Sequence, residues 1–97
     1  MLEISSQIYE KTAQKLCDLL GDSSYFSGAF DFVHEDIECR MVASLIIAHR
    51  QIEFPEDTLT FISDICPVWW EFHTVIAGEE RVNDFDFALF KEYIVRS

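Results

Sequence analysis

Residues 25–49, YFSGAFDFVHEDIECRMVASLIIAH, decide the fold. The stretch is rich in aromatic and β-branched residues and is broken only by the polar pair Glu35-Asp36, the pattern of a β-hairpin. With that pair as the loop, Phe32 faces Cys39, Phe30 faces Met41, Gly28 faces Ala43 and Phe26 faces Leu45, which makes one continuous apolar face. The opposite face pairs Val33 with Glu38, Asp31 with Arg40, Ala29 with Val42 and Ser27 with Ser44, so opposite charges stand across from each other. Side chains alternate with a period of two, and a slip of one residue would spoil both faces. Glu-Asp is not a favoured pair for a two-residue turn, and a four-residue loop would keep the same register.

Working outward, the second strand continues through Ile46, Ile47 and Ala48 towards His49, after which RQIEFPEDT supplies Pro55 and a charged turn. Residues Leu59 to Ile65 read two ways. Leu59, Ile62 and Ile65 fit a helical turn, whereas Thr58, Leu59, Thr60 and Phe61 fit an extended chain, and a short apolar run cannot be separated by period alone. Pro67 suits the start or edge of a third strand, in which Val68, Trp70, Phe72, Thr74 and Ile76 alternate against Trp69, Glu71, His73 and Val75. Ala77-Gly78-Glu79-Glu80 closes that strand as a turn.

Helical spacing flanks the strands. From Ser5 to Leu20, residues Ile8, Tyr9, Ala13, Leu16, Cys17, Leu19 and Leu20 recur every three or four positions, with Ser5 or Ser6 to cap the start and Gly21 to end it. In NDFDFALFKEYIVRS, Asp84 or Asp86 can cap a helix carrying Phe87, Phe90 and Ile94 on one face, with Lys91 and Arg96 near its C-terminal end. The predicted architecture is α+β, a single domain over 1–97: an N-terminal helix, a three-stranded antiparallel β-meander and a C-terminal helix. Both helices pack on the face of Phe30, Phe32, Met41, Trp70 and Phe72.

Composition sets the outer limits. The chain has 97 residues, 49% of them hydrophobic, enough apolar material for one core and too little chain for two. Its net charge of −11 would repel a bare phosphate backbone and points away from direct nucleic-acid binding. No apolar run is long enough to span a bilayer, and MLEISSQIYEK lacks the basic and apolar regions of a leader, so the expectation is a cytoplasmic protein without membrane contact. Cys17, Cys39 and Cys66 are odd in number, widely spaced and flanked by apolar residues, which predicts three buried thiols in a reducing compartment.

No nucleophile elbow, Ser-His-Asp set, glycine-rich phosphate loop or zinc spacing is present, so no catalytic residue, cofactor or metal is assigned. Two surfaces remain. Trp69 and Trp70 are adjacent and must point to opposite faces of a strand. With Trp70 in the core, Trp69 joins Ala29, Val42, Ile46 and Val75 on the outer face, beside Asp31, Arg40, Glu71 and His73. A tryptophan in an apolar patch is an interface anchor unless residues 53–66 fold over it. The leading expectation is therefore an interaction or accessory module that binds a protein partner, or a second copy as a homodimer, through Trp69, Glu71, His73, Arg40 and Asp31. The alternative is an acidic inhibitor, or nucleic-acid mimic, that engages a basic protein through the turn carboxylates Glu35, Asp36, Glu79 and Glu80. A third reading is a small ligand pocket near His73.

Overall fold

The computed structural model describes residues 1–95; Arg96, expected at the end of the last helix, lies outside the described residues. The chain runs α1 (Ser6–Leu20), β1 (Tyr25–His34), β2 (Ile37–Glu53), β3 (Thr58–Ile76), β4 (Glu79–Arg81) and α2 (Phe87–Lys91). The strands form one antiparallel sheet in the order β1-β2-β3-β4. The α+β class, the meander and the helices at either end match the sequence reading. The meander has one strand more than expected, because Glu79-Glu80 lies in the short β4 and not in the turn. Ala77 and Gly78 make that turn instead, both at positive φ.

The β1–β2 register is the one the facing residues dictated, from Phe26 opposite Leu45 to Val33 opposite Glu38. Glu35 (φ 47°) and Asp36 (φ 67°) form a two-residue turn in the left-handed region, so the hairpin accepts an unfavourable pair to keep its register. On the inner face Phe30, Met41, Ala43, Leu45 and Phe72 are buried, with Phe32 and Trp70 packed against them. Both helices cover this face. Helix α1 is capped by the Ser5 hydroxyl, which accepts from the Ile8 N–H, and buries Ile8, Tyr9, Ala13, Leu16 and Leu20. Cys17 and Leu19, counted on the same stripe, are exposed because they fall beyond the arc that meets the sheet.

Helix α2 starts at Asp86, whose carboxylate accepts from the Ala88 and Leu89 N–H groups. Asp84, the other capping candidate, instead accepts from the Ile4 N–H at 2.7 Å and ties down the N-terminal segment. Phe85 joins the two halves of the core. Its ring stacks on Phe72 at 4.1 Å between centroids and touches Tyr9, Trp70 and Phe90. Beneath it Asn83 donates to the Phe72 carbonyl and to Thr74, and Thr74 donates to the Arg81 carbonyl, so the buried Thr74 hydroxyl is satisfied.

Residues 47–49 continue the second strand as expected, the extended one of the two readings of Leu59 to Ile65 holds, and the departure is how far the two strands run. Strand β2 runs on to Glu53 and Leu59 to Ile65 is extended, so β2 and β3 project together beyond the last β1 residue, Tyr25, which pairs with Ile46. The molecule is correspondingly elongated, 52 × 24 × 19 Å. Two register shifts, between Ser44 and Leu45 and between Ala48 and His49, insert extra residues Val68 and Ser63 into β3. Val68 therefore stands outside the alternation expected of it and is exposed. Pro67 is accommodated beside this bulge, where β3 has no second neighbour, since β4 pairs only with Thr74, Val75 and Ile76.

Candidate outer-face interface

Among the described residues nothing covers the face of the sheet opposite the helices. The 53–66 segment, which could have folded over it, is instead the far end of the β2–β3 ribbon. Trp69, opposite Ser44, lies on this face and is 46% exposed, while its neighbour Trp70 turns inward onto Phe85 and Phe87. Around Trp69 the outer face carries Tyr25, Ser27, Ala29, Val42, Ser44, Ile46 and Cys66, with Ile46 52% exposed and no charged side chain among them. Strand alternation alone makes this patch: the even positions of β2 and their partners on β1 and β3 share one side.

Towards the turns the same face becomes charged. Asp31, Arg40 and His73 lie in one row across three strands. Arg40 Nη1 donates to both Asp31 oxygens, at 3.0 and 3.2 Å. His73 sits between two carboxylates, Nε2 at 3.0 Å from Glu71 and Nδ1 at 3.1 Å from Glu80. The hydrogen bond that Glu71 accepts from the ring, helped by the one to Glu80, raises the imidazole pKa above its ordinary value against the opposing effect of partial burial. The row lines an open depression of about 660 Å³ with Val33, Glu38 and Val75. Both ring nitrogens of His73 are engaged, so neither is presented to a ligand as a free base, which weakens a pocket built around that residue.

The pairing of Ile37 with Ile76 sets the β1–β2 and β3–β4 turns side by side, which brings Glu35, Asp36, Glu79 and Glu80 to one end of the sheet. Three of the four have a basic side chain as neighbour: Glu79 lies 3.4 Å from Arg81, Glu80 is bound to His73, and Glu35 lies 3.7 Å from the His34 ring. These partners offset the charge that a phosphate-like row of bare carboxylates would need. No three His, Cys, Asp or Glu side chains among the described residues converge to hold a metal ion. No helix among them is long and apolar enough to cross a membrane.

Two of the three cysteines depart from expectation. Cys39 is buried on the inner face and its thiol is pushed up to about 11 by burial, but Cys17 and Cys66 are exposed. Apolar neighbours in sequence misled for Cys66, since in a strand those neighbours point to the opposite side. The reading of single strands also missed the ribbon beyond β1, where Ile52, Phe54 and Leu59 are exposed. The alternating Thr58 and Thr60 and the turn at Pro55 were its only signals. At its root His49 lines a cleft of about 420 Å³ with Ile62 and Ile94, and its Nε2 is buried without a hydrogen-bond partner among the described residues. Comparison with protein-family models, with curated proteins and with solved structures finds no match to this chain.

Proposed function

We propose that this protein is an interaction module that associates with a second copy of itself through the outer face of the sheet around Trp69. The observation that carries the reading is an uncovered sheet face that holds a half-exposed tryptophan beside Ile46 and Tyr25. Contiguous apolar patches of this kind mark contact surfaces, and tryptophan is enriched among their anchors. Charge opposes a second copy but selects where it binds. Two chains of net charge −11 repel each other, and the part of the face free of charged side chains is where they meet at least cost. A two-fold homodimer uses one patch twice and needs no second complementary surface.

Light scattering across a concentration series tests this reading. The wild type is expected to reach dimer mass, and Trp69→Ala to remain a folded monomer over the same range. Neutralising Glu35, Asp36, Glu79 and Glu80 is expected to leave the dimer in place. A wild type that stays monomeric at every concentration, or a Trp69→Ala variant that dimerises as well as wild type, rules the reading out.

A further inference from the structure

We propose that strand β1 is a second contact between copies: its free edge pairs antiparallel with β1 of another copy about a two-fold axis at Ala29, so that the sheet continues from one chain into the next. The inference goes beyond the outer-face contact, which uses the face of the sheet and not its edge.

Backbone direction is the first argument. β1 is the end strand of the sheet, with β2 beside it on one side only. The Ile47 N–H donates to the Ser24 carbonyl at 2.8 Å, and the same ladder runs on to His34 opposite Ile37 at the turn. The narrow, hydrogen-bonded pairs therefore fall on the even residues of β1. The N–H and carbonyl groups of Tyr25, Ser27, Ala29, Asp31 and Val33 point away from β2, and each of these residues is exposed. Gly28, on the helix side, is exposed as well, and Phe26 and Phe32 are only partly buried, so α1 leaves this edge open. Free edges are ordinarily blunted by proline, lysine or a bulge. The free stretch of β3 has Pro67 and two inserted residues, whereas β1 has no such device.

Register is the second argument. With the axis at Ala29, that residue faces its own copy, while Ser27 faces Asp31 and Tyr25 faces Val33 on the outer side. On the helix side Phe26 faces Phe32, and Gly28 faces Phe30, so an aromatic ring covers the glycine. Tyr25 and Val33, 55% and 61% exposed, are the large apolar side chains that β1 leaves in solvent, and each covers the other. Asp31, the one carboxylate of β1, stands about 14 Å along the strands from its copy, beyond the Debye length of about 8 Å at physiological salt. An axis at Phe30 would bring the two aspartates to about 7 Å and set Tyr25 against Glu35 in the turn. An axis at Gly28 would set Tyr25 against Asp31 and leave Val33 opposite Ser23, outside the strand.

Charge is the third. Lys11 and Lys15, two of the chain's 7 basic residues, line a groove of about 360 Å³ between α1 and the end of the strand at Phe32 and Val33, with Gln14 and Asp18. They offset Asp18 and Asp31, so the strip along this edge is close to neutral on a chain of net charge −11, and a second copy meets little repulsion there. The contact is small. The stretch from Tyr25 to Val33, at ~3.4 Å per residue along a sheet ~10 Å thick, gives roughly 300 Å² per partner, the size of a weak and reversible contact. It forms at higher concentration than the outer-face dimer and adds to it.

Amide hydrogen exchange read by NMR tests the pairing, at dilute and at millimolar concentration, in wild type and in Trp69→Ala, which lacks the outer-face contact. At dilution the N–H groups of Ser27, Ala29, Asp31 and Val33 are expected to exchange freely, and those of Gly28, Phe30 and Phe32 slowly. At millimolar concentration the first set should slow about fivefold in both proteins. Adding Ala29→Pro, which removes an outward donor and no bond to β2, should restore free exchange, with circular dichroism to confirm folding. In a mixture of labelled and unlabelled chains, Phe26 of one copy should contact Phe32 of the other. No slowing, slowing that survives Ala29→Pro, or contact of Phe26 with Phe30 or His34 in its place overturns the pairing at Ala29. The two contacts fail separately. Edge amides that slow in a wild type found monomeric by light scattering leave the edge standing and overturn the outer-face reading, and a dimeric wild type whose edge amides stay fast does the reverse.

Discussion

His73 is held at both ring nitrogens by carboxylates from its own strand and from β4, an arrangement that favours the imidazolium. Because its folded pKa is raised, the clamp stabilises the fold fully below the ordinary imidazole pKa of about 6.5, and that contribution is lost as pH rises through the folded value. The difference in thermal midpoint between wild type and His73→Gln is therefore expected to be largest at about pH 6 and to shrink by about pH 8.5. A difference that stays constant over that range would show that the ring is not charged by the clamp. Cys39 gives a second test at this scale. Burial lifts its pKa from 9.0 to about 11, which leaves about a hundredth of the usual thiolate at mildly alkaline pH. Iodoacetamide with peptide mapping, on protein dilute enough to be monomeric, should label the exposed Cys66 early and Cys39 only on unfolding. Individual site residues were legible where strand parity determines them: Asp31, Arg40, Trp69, Glu71 and His73 share the outer face as alternation requires. The partnership of His73 with Glu80 was not, because it depends on a fourth strand of three residues.

Among the elements, the first hairpin was readable pair by pair because two faces with different demands constrain one register. The turn that joins it holds two non-glycine residues at positive φ, so local backbone strain is being carried by cross-strand packing. Replacing Glu35-Asp36 with Asn-Gly should stabilise the protein by about 1 kcal/mol, measured by urea denaturation. An unchanged or lower midpoint would mean that the side chains contribute more than the strain costs. Strand β3 was only partly readable. Its two inserted residues, Val68 and Ser63, shift the alternation twice within 19 residues, so a fixed period of two cannot follow it. The bulge at Val68 still leaves Trp69 and Trp70 on opposite sides. The connection from β4 to α2 depends on Phe85, which touches both helices' aromatic residues and both β3 aromatics of the core. Phe85→Ala should cost about 3–5 kcal/mol by the same measurement.

For the whole molecule, charge and shape act on the same question of how two copies meet. Strong net charge does not choose a fold, which is why the composition predicted an acidic surface but not the 52 Å length produced by the ribbon. It does set the conditions for association. Two bodies of net charge −11 at about 25 Å between centres repel by about 20 kcal/mol in unscreened water. At about 10 mM salt the Debye length of about 30 Å leaves close to half of that, whereas at about 150 mM a length of about 8 Å leaves only about 1 kcal/mol. Ion pairs at the rim of such a contact are partly solvated and contribute on the order of 1 kcal/mol each, so screening them loses far less than screening the repulsion gains. Self-association through the outer face is therefore expected to strengthen by at least tenfold between 10 and 150 mM sodium chloride, in the range given by that Debye estimate of about 30 to 8 Å. Sedimentation equilibrium at the two salt concentrations measures it directly. Weakening with salt would mean that attraction between opposite charges dominates the contact, and would point to a basic foreign partner in place of a second acidic copy.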